Sequence, residues 1–241
     1  MEKLELLYEG KAKKIYRTDQ EDVVWVQYKD SATAFNGEKK AQIAGKGRLN
    51  NEITSLLFTK LKDAGIENHF IKKLSDTEQL VQKVSIISVE VVVRNIIAGS
   101  LSKRLGIDEG VSLEKSIVEF YYKNDDLGDP LITEDHISIL KLASPEQVQV
   151  LKENALKVNH VLTTYFKQCN VRLVDFKLEF GLTNDGTIIL ADEVSPDTCR
   201  LWDIETNEKF DKDVFRRDLG NITDAYEKIL QRLGGTEQCS K

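Results

Sequence analysis

From Leu173 to Gly181 the chain reads LVDFKLEFG, and the alternation in that stretch limits what it can be. Val174, Phe176, Leu178 and Phe180 fall on one side of an extended chain, and Asp175, Lys177 and Glu179 on the other. A period of two is the signature of a β-strand with one face on a core. The opposite face then carries two carboxylates and an ammonium in a row, and is either solvated or holds something charged.

The segment TIILADEV is its natural partner. Asp185-Gly186 between them is a favoured two-residue hairpin turn. That turn sets Phe180 opposite Ala191 and Glu179 opposite Asp192. Like charges facing each other destabilise a sheet unless something neutralises them. A hard divalent cation does so, and carboxylates suit Mg²⁺ when phosphates supply further ligands. Lys177, two residues along the same face, is placed to hold an anion beside the metal. Register decides the matter: a one-residue slip brings Glu193 opposite Glu179 and removes the argument.

Two further stretches offer anion sites. YEGKAKKIY puts Gly10 between strand-like segments, followed by Lys11, Lys13 and Lys14. A glycine turn lets backbone amides approach a phosphate and the lysines add charge. This resembles the glycine-rich hairpin over ATP in kinases more than a Walker loop. An exposed lysine-rich hairpin has the same pattern. In VVVRNIIAGSLSKRLG, Arg94 ends a β-branched strand and Gly99-Ser100 opens a short helix, which suits a phosphate held by Ser100 and Arg94. An N-cap serine and a surface arginine are the plain alternative. Ser195-Pro196-Asp197 then turns the chain so that Arg200 returns to the same end of the sheet. One site for a nucleotide with metal and one for a second phosphorylated molecule point to an ATP-using enzyme.

The rest of the pattern frames these sites. LELLYEG, KKIYRT and VVWVQYKD read as short strands, followed by a helix, GRLNNEITSLLFTKLKDAG, with Leu49, Ile53, Leu56, Leu57 and Leu61 on one face. HFIKKL, EQLVQKVSIISVEVVVRN and SIVEFYYKND return to strand character. A long helix starts at Ser144, with Pro145 at its first position and Gln147 completing a capping box. A last helix is expected from about Asp213 to Leu233, stopping at Gly234, with a disordered tail over 235–241. The fold class is α+β, with a β-rich N-terminal lobe over 1–86 and a larger lobe over 87–241.

Composition excludes some partners. Among 241 residues the net charge is −6, so neither a broad nucleic-acid face nor an anionic-membrane face is expected. The N-terminus lacks the apolar core of a signal peptide, and Glu90 and Arg94 interrupt the most apolar run. Three scattered cysteines suggest a reducing, cytoplasmic setting. The three histidines, His69, His136 and His160, read as structural or surface residues, without zinc-site spacing. Cys199 reads as a packing residue.

Taken together, YEGKAKKIY, ATAFNG, GKGRLNNEI, LSDTEQLV, VEVVVRNIIAGS, YYKNDDLGDP, LVDFKLEFG, ADEVSPDTCRLWD and FDKDVFRRDLG closely resemble the SAICAR synthetases of purine biosynthesis. The resemblance runs from about Leu6 to Gly234. It implies a two-lobed, ATP-grasp- or kinase-like fold with ATP in the cleft. It implies Mg²⁺-dependent ligation of L-aspartate to the carboxylate of CAIR, a carboxylated aminoimidazole ribonucleotide, through an acyl phosphate. The products are SAICAR, ADP and phosphate, and the enzyme is expected to be a homodimer. By motif, Gly10, Lys11, Ala12 and Lys13 line the ATP phosphates, with Ile86 by the adenine and Lys123 on the nucleotide side. Glu179 and Asp192 hold metal and nucleotide. Arg94, Ser100 and Arg200 bind the ribotide phosphate, Asp175 contacts the ribotide, and Lys177 sits by the reacting carboxylate. Asn36, Lys212 and Arg216 are the candidates for the incoming aspartate. Ser88 stands where the family usually has proline, which leaves that strand free to shift slightly. The rival readings are a kinase-like phosphotransferase, which needs no aspartate, and a binding protein without turnover, which would have lost part of this residue set.

Overall fold

The protein is described by a computed structural model that covers residues 1–34 and 37–234. Asn36, Cys239 and the 235–241 tail therefore lie outside the described residues.

Five strands make the first sheet: β1 (Lys3–Glu9), β2 (Lys13–Thr18), β3 (Val23–Tyr28), β6 (Phe70–Lys73) and β7 (Glu78–Gln82). Their order is β1-β2-β3-β7-β6. The sequence pattern also missed a two-stranded ribbon, β4 (Ser31–Ala34) with β5 (Lys39–Gln42). The run expected as one strand from Glu78 to Asn95 divides into β7 and β8 (Ser85–Ile96), which belong to different sheets.

The second sheet is centred on β8 and β11 (Val171–Leu182). β9 (Ser112–Tyr122) and the short β10 (Leu131–Ile132) extend it beyond β8. On its other side β11 pairs with β12 (Ile188–Ala191) along one half and β13 (Cys199–Asp203) along the other. β13 was not anticipated.

Alternation along these strands separates core from site. Val89, Val91 and Val93 of β8 and Phe176, Leu178 and Phe180 of β11 are buried in one cluster with Val158 and Leu162. The latter two lie on α4 (Pro145–Gln168), whose capping box at Ser144 and Gln147 is formed as expected. Burying side chains of this size is worth roughly 1.5–3 kcal/mol each, so the orientation of this face is firmly set. Ile53, Leu57 and Leu61 of α1 (Lys46–Asp63) join the same cluster. Glu90, Arg94, Asp175, Lys177 and Glu179 are left on the opposite face.

The remaining helices are α2 (Gly99–Leu105), α3 (Glu134–Ile139), α5 (Asp213–Arg216) and α6 (Ile222–Gly234). The single C-terminal helix expected from Asp213 is thus two. Asp218 and Gly220 take positive φ of 54° and 146°, which no continuous α-helix accommodates. α6 packs Ala225 and Tyr226 against Leu49 of α1.

Candidate active site

Two neighbouring cavities are linked by an ion pair, with Lys177 lining one and Glu179 the other. The first, about 460 Å³, is lined mainly by apolar residues, among them Ile15, Val24, Val26, Val81 and Ile86. Lys13, His69, Lys123, Glu179 and Asp192 give it one polar wall. The second, about 360 Å³, is polar and is lined by Arg94, Ser100, Asp175, Lys177, Arg200, Lys212 and Arg216 among others. An apolar slot beside a charged one fits a nucleotide base beside phosphates and acidic substrates.

The hairpin register differs from the expected one. Glu179 pairs with Ala191, and Phe180 with Leu190. The connection is a three-residue loop closed by Thr183 and Thr187, with Gly186 at φ 84°. That is the geometry of a three-residue hairpin with glycine in the left-handed position. The Thr183 hydroxyl bonds to the Asp185 carboxylate and the Thr187 carbonyl, which holds this loop rather than the two-residue turn. Asp192 therefore lies just past β12, at φ 58°, and does not face Glu179 across the ladder. The carboxylate that does face Glu179 is Glu90, on β8. Lys177 Nζ offsets this repulsion by donating to Glu90 at 2.6 Å and to Glu179 at 2.9 Å. Glu179 and Asp192 still share the first cavity, so the two candidate metal ligands are together for a different reason.

Each carboxylate has a cation beside it. Lys13 bonds to Asp192 at 2.5 Å and lies 3.1 Å from Glu193. Lys123 donates to Glu179 at 3.0 Å. Burial disfavours the charged forms, but the pairs outweigh it. Glu179 and Glu90 keep Lys177 well above the usual lysine range, and Asp192 and Glu193 do the same for Lys13. Asp192 is held down at about 2 against its own burial, chiefly by Lys13 and then Lys177. Lys177 is thus a fixed cation and not a proton acceptor. Burial raises Glu90, opposed by Lys177.

No group of three or more metal-ligating side chains exists among the described residues. Two carboxylates on a cavity wall nonetheless fit Mg²⁺, which commonly takes one or two carboxylates and completes its octahedron from phosphates and water.

In the polar cavity the arginines form a row. The cross-strand neighbours of Asp175 are Arg94 on β8 and Arg200 on β13. Arg94 donates to Asp175 at 2.6 Å, and to Ser100 Oγ and the Tyr121 hydroxyl at 3.0 Å each. Arg200 donates to both Asp175 oxygens, at 3.0 and 2.8 Å, and to Asp213 at 3.0 Å. Asp213 also accepts from Arg216 at 2.7 Å. Ser100 thus accepts from Arg94, while the Gly99 amide at the start of α2 is already given to Glu109.

The remaining expected residues fall around this frame. Gly10 and Ala12 sit in the β1–β2 turn, where the Gly10 amide donates to the Lys13 carbonyl. Lys11 lines the polar cavity and pairs with Asp125 at 2.8 Å. Lys212 and Arg216 line the polar cavity. β8 runs unbroken through Ser88. Cys199 is buried, which pushes its thiol up and leaves no ready thiolate.

Sequence reasoning passed over Glu90, Asp197, Asp213 and His69. His69 takes the structural of its two readings: it is buried, its Nε2 lies 3.2 Å from the Asp192 carbonyl, and burial, with the Lys13 charge, holds it down at about 4. Only the isolated polar residues in otherwise apolar runs, such as Glu90 in VEVVV, left a trace in the sequence.

The sequence model of the SAICAR synthetase family matches residues 6–233. The chain belongs to the SAICAR synthetase family. It is 73% identical to the phosphoribosylaminoimidazole-succinocarboxamide synthase of Bacillus cytotoxicus, over 98% of both chains. Its fold matches a SAICAR synthetase solved in complex with ADP, with a TM-score of 0.93 and 48% identity, covering 96% of this chain and 98% of the other. The synthase from Ehrlichia chaffeensis superposes with a TM-score of 0.93 at 47% identity, covering 95% of this chain and 98% of that one. The family's reaction is the carbon–nitrogen ligation of L-aspartate to CAIR at the expense of ATP, and this chain is such a ligase.

Proposed function

We propose that the two neighbouring cavities divide the ligation between them, with ATP in the apolar slot and CAIR and L-aspartate in the polar one. The observation that carries this reading is Lys177, a cation of the polar cavity fixed between Glu90 and Glu179, the latter on the wall of the apolar one. The solved relative with ADP supports the use of ATP. In this reading the cleft lies between residues 1–86 and 87–241, in an ATP-grasp- or kinase-like arrangement, and the enzyme is a cytoplasmic homodimer.

Ile86 and its apolar neighbours border the adenine, and the Gly10–Lys13 turn, with Lys123, faces the phosphates. Glu179 and Asp192 would hold Mg²⁺, which supplies charge neutralisation at the phosphates when bound. Arg94, Ser100 and Arg200 take the ribotide phosphate. Asp175, both of whose oxygens are engaged by these arginines, keeps them aligned beside the ribotide. Asn36, Lys212 and Arg216 receive the carboxylates of L-aspartate.

A carboxylate is a poor electrophile because oxide is a poor leaving group. An oxygen of the CAIR carboxylate attacks the γ-phosphorus and ADP departs, leaving an acyl phosphate. Lys177 offsets the negative charge that gathers during this transfer. The ammonium of L-aspartate gives up one proton to solvent, and the neutral amine attacks the acyl carbon; the C–O bond to phosphate breaks, and the nitrogen passes its second proton to the departing phosphate as the amide forms.

The test is ADP release with Mg·ATP, CAIR and L-aspartate, each omitted in turn. ADP that requires all three, with SAICAR in equal amount, is the expected result. ADP without aspartate, with a phosphorylated product, would show a phosphotransferase instead. ATP binding without turnover would show a binding protein.

A further inference from the structure

Lys46, the first residue of α1, is completely enclosed. Lysine is among the residues least often fully buried. Its ammonium bonds to Asp197 Oδ2 at 2.5 Å. Tyr226 of α6, equally enclosed, donates to Asp197 Oδ1 at 2.6 Å. Both oxygens of Asp197 are therefore committed to groups on helices outside the sheet. The Lys212 ammonium forms an ion pair with Asp197 Oδ2 at 3.8 Å, beyond hydrogen-bond distance. Its side chain lines the polar cavity.

This arrangement is a poor device for stability. A buried ion pair roughly breaks even against an apolar replacement of similar volume. It has a clear consequence for charge, however. With both Asp197 oxygens hydrogen-bonded to Lys46 and Tyr226, Lys212 pairs with it only through space, at 3.8 Å, and keeps its N–H groups for another acceptor. Asp197 without Lys46 is a buried carboxylate with a vacant acceptor 3.8 Å from the Lys212 ammonium, and attraction at that spacing in a poorly solvated wall draws Lys212 into a direct hydrogen bond with it.

We propose that Lys46 and Tyr226 are positioning residues that hold Asp197 so that the Lys212 ammonium stays available to a carboxylate of the incoming L-aspartate. The inference rests on the placing of L-aspartate at Lys212 and Arg216. Lys46 and Tyr226 touch no substrate in it; they act through Asp197 and Lys212. Burial, with the charges of Lys46 and Arg216, also holds Lys212 below the usual lysine range, opposed by Asp197, so this group gains from a new anion.

Steady-state kinetics of Lys46→Met, Tyr226→Phe, Lys212→Met and the double variants tests this. Lys46→Met should raise KM for L-aspartate at least tenfold, with KM for CAIR and for Mg·ATP changing less than threefold. Tyr226→Phe, which removes one hydroxyl, should raise KM for L-aspartate about threefold. Neither should add to the defect of Lys212→Met in the double variants, since both act through Lys212. If Lys46→Met gives no soluble protein, Tyr226→Phe with its double variant decides the question. An equal rise in all three KM values, or additive defects in the double variants, would overturn the inference. Lys212→Met with an unchanged KM for L-aspartate would overturn the placing of aspartate itself. A defect in Lys212→Met with none in Lys46→Met or Tyr226→Phe would sink only the positioning role.

Discussion

The guanidinium of Arg200 fills the space that a side chain on Gly99 would need. A Cβ on Gly99 would overlap Cζ and both terminal nitrogens of Arg200. Gly99 also has φ +55°, a conformation that costs L-residues about 1 kcal/mol. Gly99→Ala should therefore displace Arg200 more than it weakens the fold. We expect at least a tenfold rise in KM for CAIR, little change in KM for ATP, and a stability loss on the order of 1–2 kcal/mol by urea unfolding. An unchanged KM for CAIR would remove Arg200 from the ribotide site.

Asp213 links the two arginines assigned to different substrates. Arg200 and Arg216 donate to its two oxygens, and Arg217 lies 3.1 Å away. Against its burial, Arg200 and Arg216 hold its carboxyl at about 2. Asp213→Asn keeps the shape but turns an amide N–H towards one arginine. Removing one partner of a buried ionic network typically costs about 3 kcal/mol or more. The expected result is a raised KM for both CAIR and L-aspartate, with ADP binding by titration calorimetry intact. A defect confined to one substrate would show that Asp213 does not act on both arginines.

Much of this framework was legible in the sequence because periodicity and capping are local properties. The strand at LVDFKLEFG, the α1 face at Leu49, Ile53 and Leu57, and the Ser144–Gln147 box are all read from neighbouring residues. The hairpin register was not legible, because the Thr183 hydroxyl selects a three-residue loop that the favoured Asp185-Gly186 dipeptide does not exclude. The carboxylate facing Glu179 was misread for the same reason: pairing with Glu90 joins strands about ninety residues apart in sequence, and no local pattern reports it. Tyr226 falls at helical spacing with Ile222 and Ile229, but nothing local ties it or Lys46 to Asp197; only the structure does. The break between α5 and α6 did leave a trace, in Asp218 and Gly220.

Lys177 should behave as a fixed charge and not as a base. Lys177→Met removes the only cation seen bridging Glu90 and Glu179 among the described residues. A preorganised electrostatic group of this kind is worth about 10²–10³ in kcat, and that is the loss expected. KM for ATP should change only a few-fold. Because Glu179 and Glu90 keep the ammonium charged, the wild-type kcat should show no ionisation of Lys177 between pH 6 and pH 9. A basic-limb break in kcat that disappears in Lys177→Arg would contradict this assignment.

His69 should govern the acid stability of the free protein. Its imidazole is held at about 4, first by burial and then by the Lys13 charge, against about 6.5 in an unfolded chain. The unfolded state thus binds more protons between these values, so stability rises with pH across that window and is lost on acidification from about 6.5 to 4. The full effect is up to about 3 kcal/mol, since each pK unit is worth about 1.4 kcal/mol. Asp192 and Asp213, both held at about 2, lose their contributions only below the usual carboxylate range, as pH falls towards 2. The two windows are separable by experiment. Urea unfolding at pH 4.5 and pH 7, without nucleotide or Mg²⁺, should show a marked difference for the wild type and a much smaller one for His69→Gln, whose amide can still donate to the Asp192 carbonyl. Equal pH dependence in the two proteins would mean that His69 does not stay neutral in the fold.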